Sequence, residues 1–332
     1  NSSAASDVYK RQAKDYLVFQ GKQSGYSATA QHIDTVRNWY GNDQGREMAA
    51  SMFAVLQIRP QENGFLQKIK ERMHPARPQA IQVAVKGGTP FLCVEASRRK
   101  GELPWEEIAF CAGRCAGRML LPDGIIPPDG GSVKAFLPDA LAPLILFNTA
   151  CDVLSRRRQP PGEECITLLD PKGRLARRAG RLLAFASLVR VVTDHAAIYE
   201  QTAEQVMEDY GAALLIQDTF AGARDSTVVI APGGLKESFF PERKCAVFTN
   251  QESSGGYLCI TAEGINLPEP YFRLIPDGIN PDQFAGALYE ASGLRELSRL
   301  TYTRLKLYGT TTNPGGAARM LSAVREESSG NR

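Results

Sequence analysis

Three aspartates recur at an interval of 24 residues: Asp170, Asp194 and Asp218. Each follows a short apolar run: Cys165–Leu169, then Leu188–Val192 with Thr193 between, then Ala213–Ile216 with Gln217 between. A fourth run, Thr227–Ile230, leads into Ala231-Pro232-Gly233-Gly234. If the runs are strands of one open sheet, the carboxylates gather at its carboxyl edge, where α/β sheets bind ligands. A carboxylate there accepts hydrogen bonds from ligand hydroxyls, and glycines let a ligand approach the backbone. Lys172 and Gly173 come directly after Asp170. At the start of a helix they offer positive charge and unpaired N–H groups to a phosphate or carboxylate. The candidate binding residues are therefore Asp170, Lys172, Gly173, Asp194, Asp218, Gly233 and Gly234. The same aspartates fit a second role, because an Asp after a strand commonly caps the helix that follows. No pairing of nucleophile with base stands out, so no catalytic residue is assigned, although His195 adjoins Asp194.

The elements that would position these residues are legible in the periodicity. Over Gly173–Ala186 the apolar residues Leu175, Ala179, Leu182 and Ala186 share one helical face, and Arg174, Arg177, Arg178 and Arg181 share another. Over Ala196–Tyr210 the stripe is Tyr199, Ala203, Val206, Met207 and Tyr210, with Glu200, Glu204 and Glu208 turned away and Gly211 placed to stop the helix. Strands that are almost wholly apolar, alternating with such helices, predict a parallel sheet with right-handed crossovers. The fold class expected is α/β: a small N-terminal α+β domain followed by a Rossmann-like, mostly parallel open sheet.

The unit from about Glu163 to Ala231 resembles the NAD(P)-binding Rossmann superfamily in the order and spacing of its elements. The resemblance implies that the acid ending the second strand, here Asp194, binds a cofactor ribose. The superfamily's first turn is Gly-x-Gly-x-x-Gly, whereas this chain reads Asp170-Pro-Lys-Gly173-Arg-Leu-Ala. One glycine stands for three, so the cofactor stays unknown: NAD(P) or another nucleotide is what the resemblance implies, without its glycine fingerprint. Receiver domains have a similar order, with acids matching Asp170 and Asp218. The hydroxyl and lysine they need after the fourth and fifth strands are missing. Haloacid-dehalogenase-like phosphatases need a second aspartate where Lys172 stands.

The rest of the chain divides by composition. Asp7-Val-Tyr-Lys-Arg-Gln12 resembles translated sequencing-adaptor read-through, as at the ends of metagenomic reading frames, so residues 1–12 are set aside. Residues 13–72 read as a short helical region, with helices over Arg46–Leu56 and Gly64–Met73. Within it His32-Ile-Asp-Thr-Val36 resembles the metal motif of M20-type metallopeptidases. With only three histidines in the chain, a chance match is the reading taken, and no metal is assigned. Residues 73–160 read as a small α+β domain that is self-contained, so a chain beginning at Met73 is expected to fold. It holds a hairpin, Ala80–Val85 and Thr89–Val94 about Lys86-Gly87-Gly88. A helix from Pro104 to Arg118 follows, with Cys111 and Cys115 on one face, and another over Leu141–Arg156. Arg156-Arg157-Arg158-Gln-Pro-Pro-Gly162 is the expected boundary, its arginines suiting the helix dipole. Residues 161–295 form the Rossmann-like domain. Cys245–Thr249 and Tyr257–Thr261 read as its hairpin, and Asn280-Pro281 begins its last helix. Residues 296–332 are expected to end in a frayed tail.

The bulk properties narrow the function. In 332 residues, 39 basic and 36 acidic side chains leave a net charge of +3, too balanced for a general nucleic-acid binder. No apolar run is long enough to span a membrane. The odd number of cysteines, 7, without Cys-x-x-Cys points to free thiols and a cytoplasmic setting. The chain thus reads as a Rossmann-like protein whose ligand is a nucleotide or another small anion. The alternative is a non-catalytic α/β scaffold for a protein partner.

Overall fold

The structure, a computed structural model, describes residues 53–59, 77–157, 162, 164–235, 241–242, 244–251 and 257–329. The adaptor-like terminus, the His32–Val36 motif, the helix expected over Gly64–Met73, and Arg158 to Pro160 lie outside the described residues. The chain forms two compact units: one reaches Phe136 and includes Pro276–Ile279, the other comprises Leu137–Ile275 and Asn280–Arg332.

The first unit is built on a four-stranded sheet in the order β2-β3-β1-β4. Its strands are β1 (Ala54–Ile58), β2 (Gln79–Val83), β3 (Phe91–Ala96) and β4 (Met119–Leu120). β2 and β3 form the expected antiparallel hairpin, with Gly87 at φ +75° in its turn. β1 corrects the sequence reading, which placed residues 54–56 at the end of a helix. It runs parallel to β3 on one side and to β4 on the other. Phe53, Ala54, Val55 and Leu56 are wholly buried. Periodicity cannot tell a short apolar run of this kind from a helix, and pairing on both edges decides it. An inner strand of this sheet thus lies upstream of Met73, where the sequence reading had the self-contained pattern begin. The helix Trp105–Ala112 ends at Gly113 and passes into a 3-10 turn, Gly113–Gly117. Cys111 and Cys115 therefore share no helix face, although both join the apolar cluster of Ile108, Ala112 and Met119.

The second unit holds an eight-stranded sheet in the order β12-β11-β10-β9-β8-β5-β6-β7. Its strands are β5 (Cys165–Leu169), β6 (Leu188–Val192), β7 (Leu214–Gln217), β8 (Val228–Ala231), β9 (Ala246–Thr249), β10 (Leu258–Ile265), β11 (Tyr302–Leu307) and β12 (Thr310–Thr312). β5 to β10 are parallel, and β11 and β12 add antiparallel strands beyond β10. Counted from β5, the six parallel strands lie in the order 3-2-1-4-5-6, that of a Rossmann sheet. Ile166, Leu168, Val189, Val191, Val228 and Ile230 bury one continuous face. β9 and β10 are parallel neighbours and not the hairpin the sequence suggested. The turn-rich segment between them gave the right number of strands but not their direction.

Two further differences concern the borders of this unit. The helix Leu141–Ser155 packs against β8, β9 and β11, so it belongs with the parallel sheet, and the units part at residue 136, before this helix. Arg157, read from sequence as a dipole partner, is buried against Glu164 at 3.0 Å, while Arg156 pairs with Asp152. The C-terminal segment is ordered through the β11–β12 hairpin and the helix Pro314–Ser329, which buries Ala317, Ala318 and Leu321. Its Gly- and Thr-rich composition hid a short antiparallel pair that borrows its register from β10. All seven cysteines are free thiols.

Candidate functional site at the carboxyl edge of the parallel sheet

Strand register lines up the ends of four adjacent strands. Leu169 pairs with Val192, Val192 with Gln217, and Leu168 with Ile230. Asp170, Asp194, Asp218 and Gly233-Gly234 therefore leave the sheet from one edge, on strands about 4.8 Å apart. The strand order reverses between β5 and β8, and in such sheets that switch point opens a crevice.

The three aspartates do different work. Asp170 is 4% exposed. Its Oδ2 accepts the backbone N–H of Leu175 at 2.7 Å and the hydroxyl of Tyr199 at 2.8 Å. This carboxylate ties the turn after β5 to the helix Ala196–Tyr210. Burial first, and then the charge and hydrogen bond of Asp170, push the Tyr199 hydroxyl far above its ordinary value of 10.0. A raised folded-state value means that stability is fully present below about pH 10 and is lost above it, as the unfolded chain alone releases the proton. Tyr199→Phe is expected to flatten that alkaline loss by up to about 1.4 kcal/mol per pH unit, measured by urea unfolding between pH 9 and 11.

Asp194 and Asp218 are exposed and have no hydrogen-bond or ion-pair partner among the described residues. The helix Ala196–Tyr210 begins at His195 without a side-chain cap, and the His195 N–H is taken by Thr193 Oγ1 at 3.1 Å. The 3-10 turn Ala221–Ala223 also lacks a side-chain cap. Capping therefore accounts for Asp170 in part, but for neither of the other two.

The glycine turn departs from the sequence reading. The helix expected from Gly173 begins at Ala176, runs only to Ala179 and continues as a 3-10 helix, Gly180–Ala184. Gly173 N–H is bonded to Asp170 O at 3.0 Å and Leu175 N–H to the Asp170 carboxylate, so two donors of a phosphate cradle are already used. Gly173 sits at φ +66°, where a Cβ would lie 3.2 Å from His195 Cβ and 3.3 Å from Ile198 Cδ1. Of the three tasks a Rossmann glycine run performs, this residue keeps the tight turn and the close helix packing. The residues present do not fit a dinucleotide pyrophosphate in its usual pose.

Charge at this turn comes from side chains. Lys172 and Arg174 both reach Asp139, Arg174 at 2.8 Å. Those two hydrogen bonds outweigh partial burial and hold the Asp139 carboxyl below its ordinary range. Sequence reasoning missed Asp139, which stands 33 residues before Lys172 with no local signal. It also missed Asn250, at the end of β9, whose Oδ1 accepts Gly233 N–H at 2.9 Å. Its strand-end position was the available signal, hidden once the segment was read as a hairpin. Gly234, at φ +81°, packs against the Gln251 side chain.

Among the described residues no group of three or more His, Cys, Asp or Glu side chains could hold a metal ion, and no helix is long and apolar enough to cross a membrane. A cavity of about 230 Å³ lies at the other edge of the sheet, beside Arg157 and Glu164 before β5, away from the aspartates. No family model and no curated protein matches the chain. Among solved structures it is similar to L-tryptophan dehydrogenase from Nostoc punctiforme, at 14% identity over 85% of this chain and 89% of that one, with a TM-score of 0.29. A likeness of that size carries no argument about activity. The Rossmann-like assignment rests on the strand order.

Proposed function

We propose that this chain binds a nucleotide or a related small anion at the carboxyl edge of its parallel sheet, with Asp194 accepting hydrogen bonds from ribose hydroxyls. The observation that carries the reading is the state of Asp194. It ends the second strand of a 3-2-1-4-5-6 sheet, is exposed, and caps no helix. Asp218 on the next strand and Gly233-Gly234 across the switch point extend the site, and Lys172 supplies positive charge. With the pyrophosphate cradle altered, the ligand's phosphate is held by side-chain cations and not by a glycine-rich loop. NAD(P) in its usual pose is disfavoured on that ground, and no hydride transfer is assigned.

The test is a thermal-shift and binding screen of adenine, nicotinamide and flavin nucleotides. Asp194→Ala is expected to weaken a bound nucleotide roughly 10- to 150-fold, the value of charged hydrogen bonds to hydroxyls. It should leave stability within about 0.5 kcal/mol, because no cap is lost. Binding that is indifferent to Asp194, or no binding at all, sinks the reading. The second reading, a scaffold for a protein partner, is favoured by one observation. Ile198, Met207 and Tyr210 on the helix Ala196–Tyr210 are 48%, 50% and 77% exposed, and Leu215 on edge strand β7 is 41% exposed.

A further inference from the structure

The turn after β5 carries two cations that share one internal carboxylate. Asp139 stands just before the helix Leu141–Ser155, while Lys172 and Arg174 flank Gly173. One carboxylate oxygen of Asp139 faces the Arg174 guanidinium at 2.8 Å and the other faces the Lys172 ammonium. The side chains are 50%, 28% and 60% exposed for Asp139, Arg174 and Lys172, so water and solutes reach the cluster. Two positive charges meet one negative charge, and the cluster keeps an excess of +1. An ammonium has three donors and a guanidinium five, and one carboxylate cannot satisfy them all. A phosphate group brings three acceptor oxygens and up to two negative charges to the same donors. A phosphate that takes the two donors now facing Asp139 competes with that carboxylate for them.

We propose that Lys172 and Arg174 form a phosphate site whose ligand in the free protein is the Asp139 carboxylate, so that an incoming phosphate binds by displacing Asp139. The inference deepens the nucleotide reading by giving the phosphate its residues and by adding an internal competitor that weakens binding. It gives a role to two cations at a turn where the N–H groups of Gly173 and Leu175 are already taken by Asp170. The competition is strongest where Asp139 is fully ionised, as an aspartate is at neutral pH.

The experiment uses the full chain and two probes, inorganic pyrophosphate for the cation pair and adenosine for the ribose site. Binding is followed by calorimetry and by ligand-observed NMR, and each variant is checked by thermal melting. Asp139→Asn is expected to tighten pyrophosphate about threefold to tenfold, the scale of releasing two exposed ion pairs. The double variant Asp139→Asn with Lys172→Gln should lose that gain, and Arg174→Gln should weaken pyrophosphate in either background. Adenosine affinity should not respond to Asp139→Asn and should fall with Asp194→Ala. Pyrophosphate binding that is absent, or unchanged between wild type and Asp139→Asn, overturns the displacement proposal, leaving the cluster a surface ion pair. Failure of adenosine to bind, with pyrophosphate behaving as expected, overturns the ribose reading instead.

Discussion

A chain that begins at Met73 is expected to lose the fold of its first unit, whereas one that begins at Met48 keeps it. The difference is β1, an inner strand of the β2-β3-β1-β4 sheet. Phe53, Val55 and Leu56 are wholly buried, and each such side chain contributes about 1.5–3 kcal/mol through burial. Their removal costs about 5–9 kcal/mol, as much as a whole domain's usual stability. It also strips backbone partners from β3 and β4 along the register Ala54–Ile58 with Leu92–Ala96, and Ala54–Val55 with Met119–Leu120. Both truncations lack Trp39, so Trp105, half-buried in the first unit, becomes the sole tryptophan and reports on it. The shorter chain should show red-shifted Trp105 fluorescence without a cooperative transition. The longer should show a blue-shifted band and a sigmoidal urea curve. A cooperative transition of Trp105 in the Met73 chain would mean that β1 is dispensable.

Asp170→Ala is expected to destabilise the second unit by about 3–6 kcal/mol. The carboxylate is buried and accepts Leu175 N–H and Tyr199 O–H, and hydrogen bonds to a charged group contribute about 1.5–3 kcal/mol each. Both donors would be left in an apolar surround, since Leu175, Ala176, Ala179 and Tyr199 are themselves buried. Tyr199→Phe removes one partner only and should cost about 1–2 kcal/mol. The double variant should cost less than the sum of the singles, because they share a contact. Asp170→Asn, which keeps one acceptor oxygen, should fall between wild type and Ala. Urea unfolding followed by far-UV circular dichroism measures all four. A loss under 1 kcal/mol for Asp170→Ala would show that the turn is held by backbone geometry alone, and it would return Asp170 to the list of residues free for a ligand.

The local reading succeeded where one segment contains its own signal. The helix Ala196–Tyr210 begins and ends where its periodicity and Gly211 place it, with Gly211 at φ +63° bonded to Met207 O. Asn280 caps the helix Pro281–Glu290 through its side chain, as the Asn-Pro-Asp start indicated. Cys165–Leu169 and Leu188–Val192 are strands at those same residues. The reading failed where the state of a segment depends on a distant partner. Residues 54–58 are a strand because β3 and β4 flank them. The helix after β5 starts late, at Ala176, where the turn closed by the Leu175 N–H to Asp170 bond ends, and it passes into a 3-10 helix at Gly180. The segment after Tyr308 is ordered because β12 pairs with β11, which pairs with β10.

The sequence by itself determined the α/β alternation, the positions of the strand ends, and hence that Asp170, Asp194 and Asp218 emerge at one edge of a parallel sheet. Those are properties of residue type and period, carried within a few neighbours along the chain. Only the tertiary structure decided what each carboxylate is free to do. Asp170 is consumed by Tyr199, which lies 29 residues on, while Asp194 stays exposed before a helix that has no side-chain cap. Lys172 meets Asp139 across 33 residues. Hydrogen-bond acceptors are satisfied by whatever the fold brings within about 3 Å, and that distance is set by packing, which no local spacing in the chain encodes.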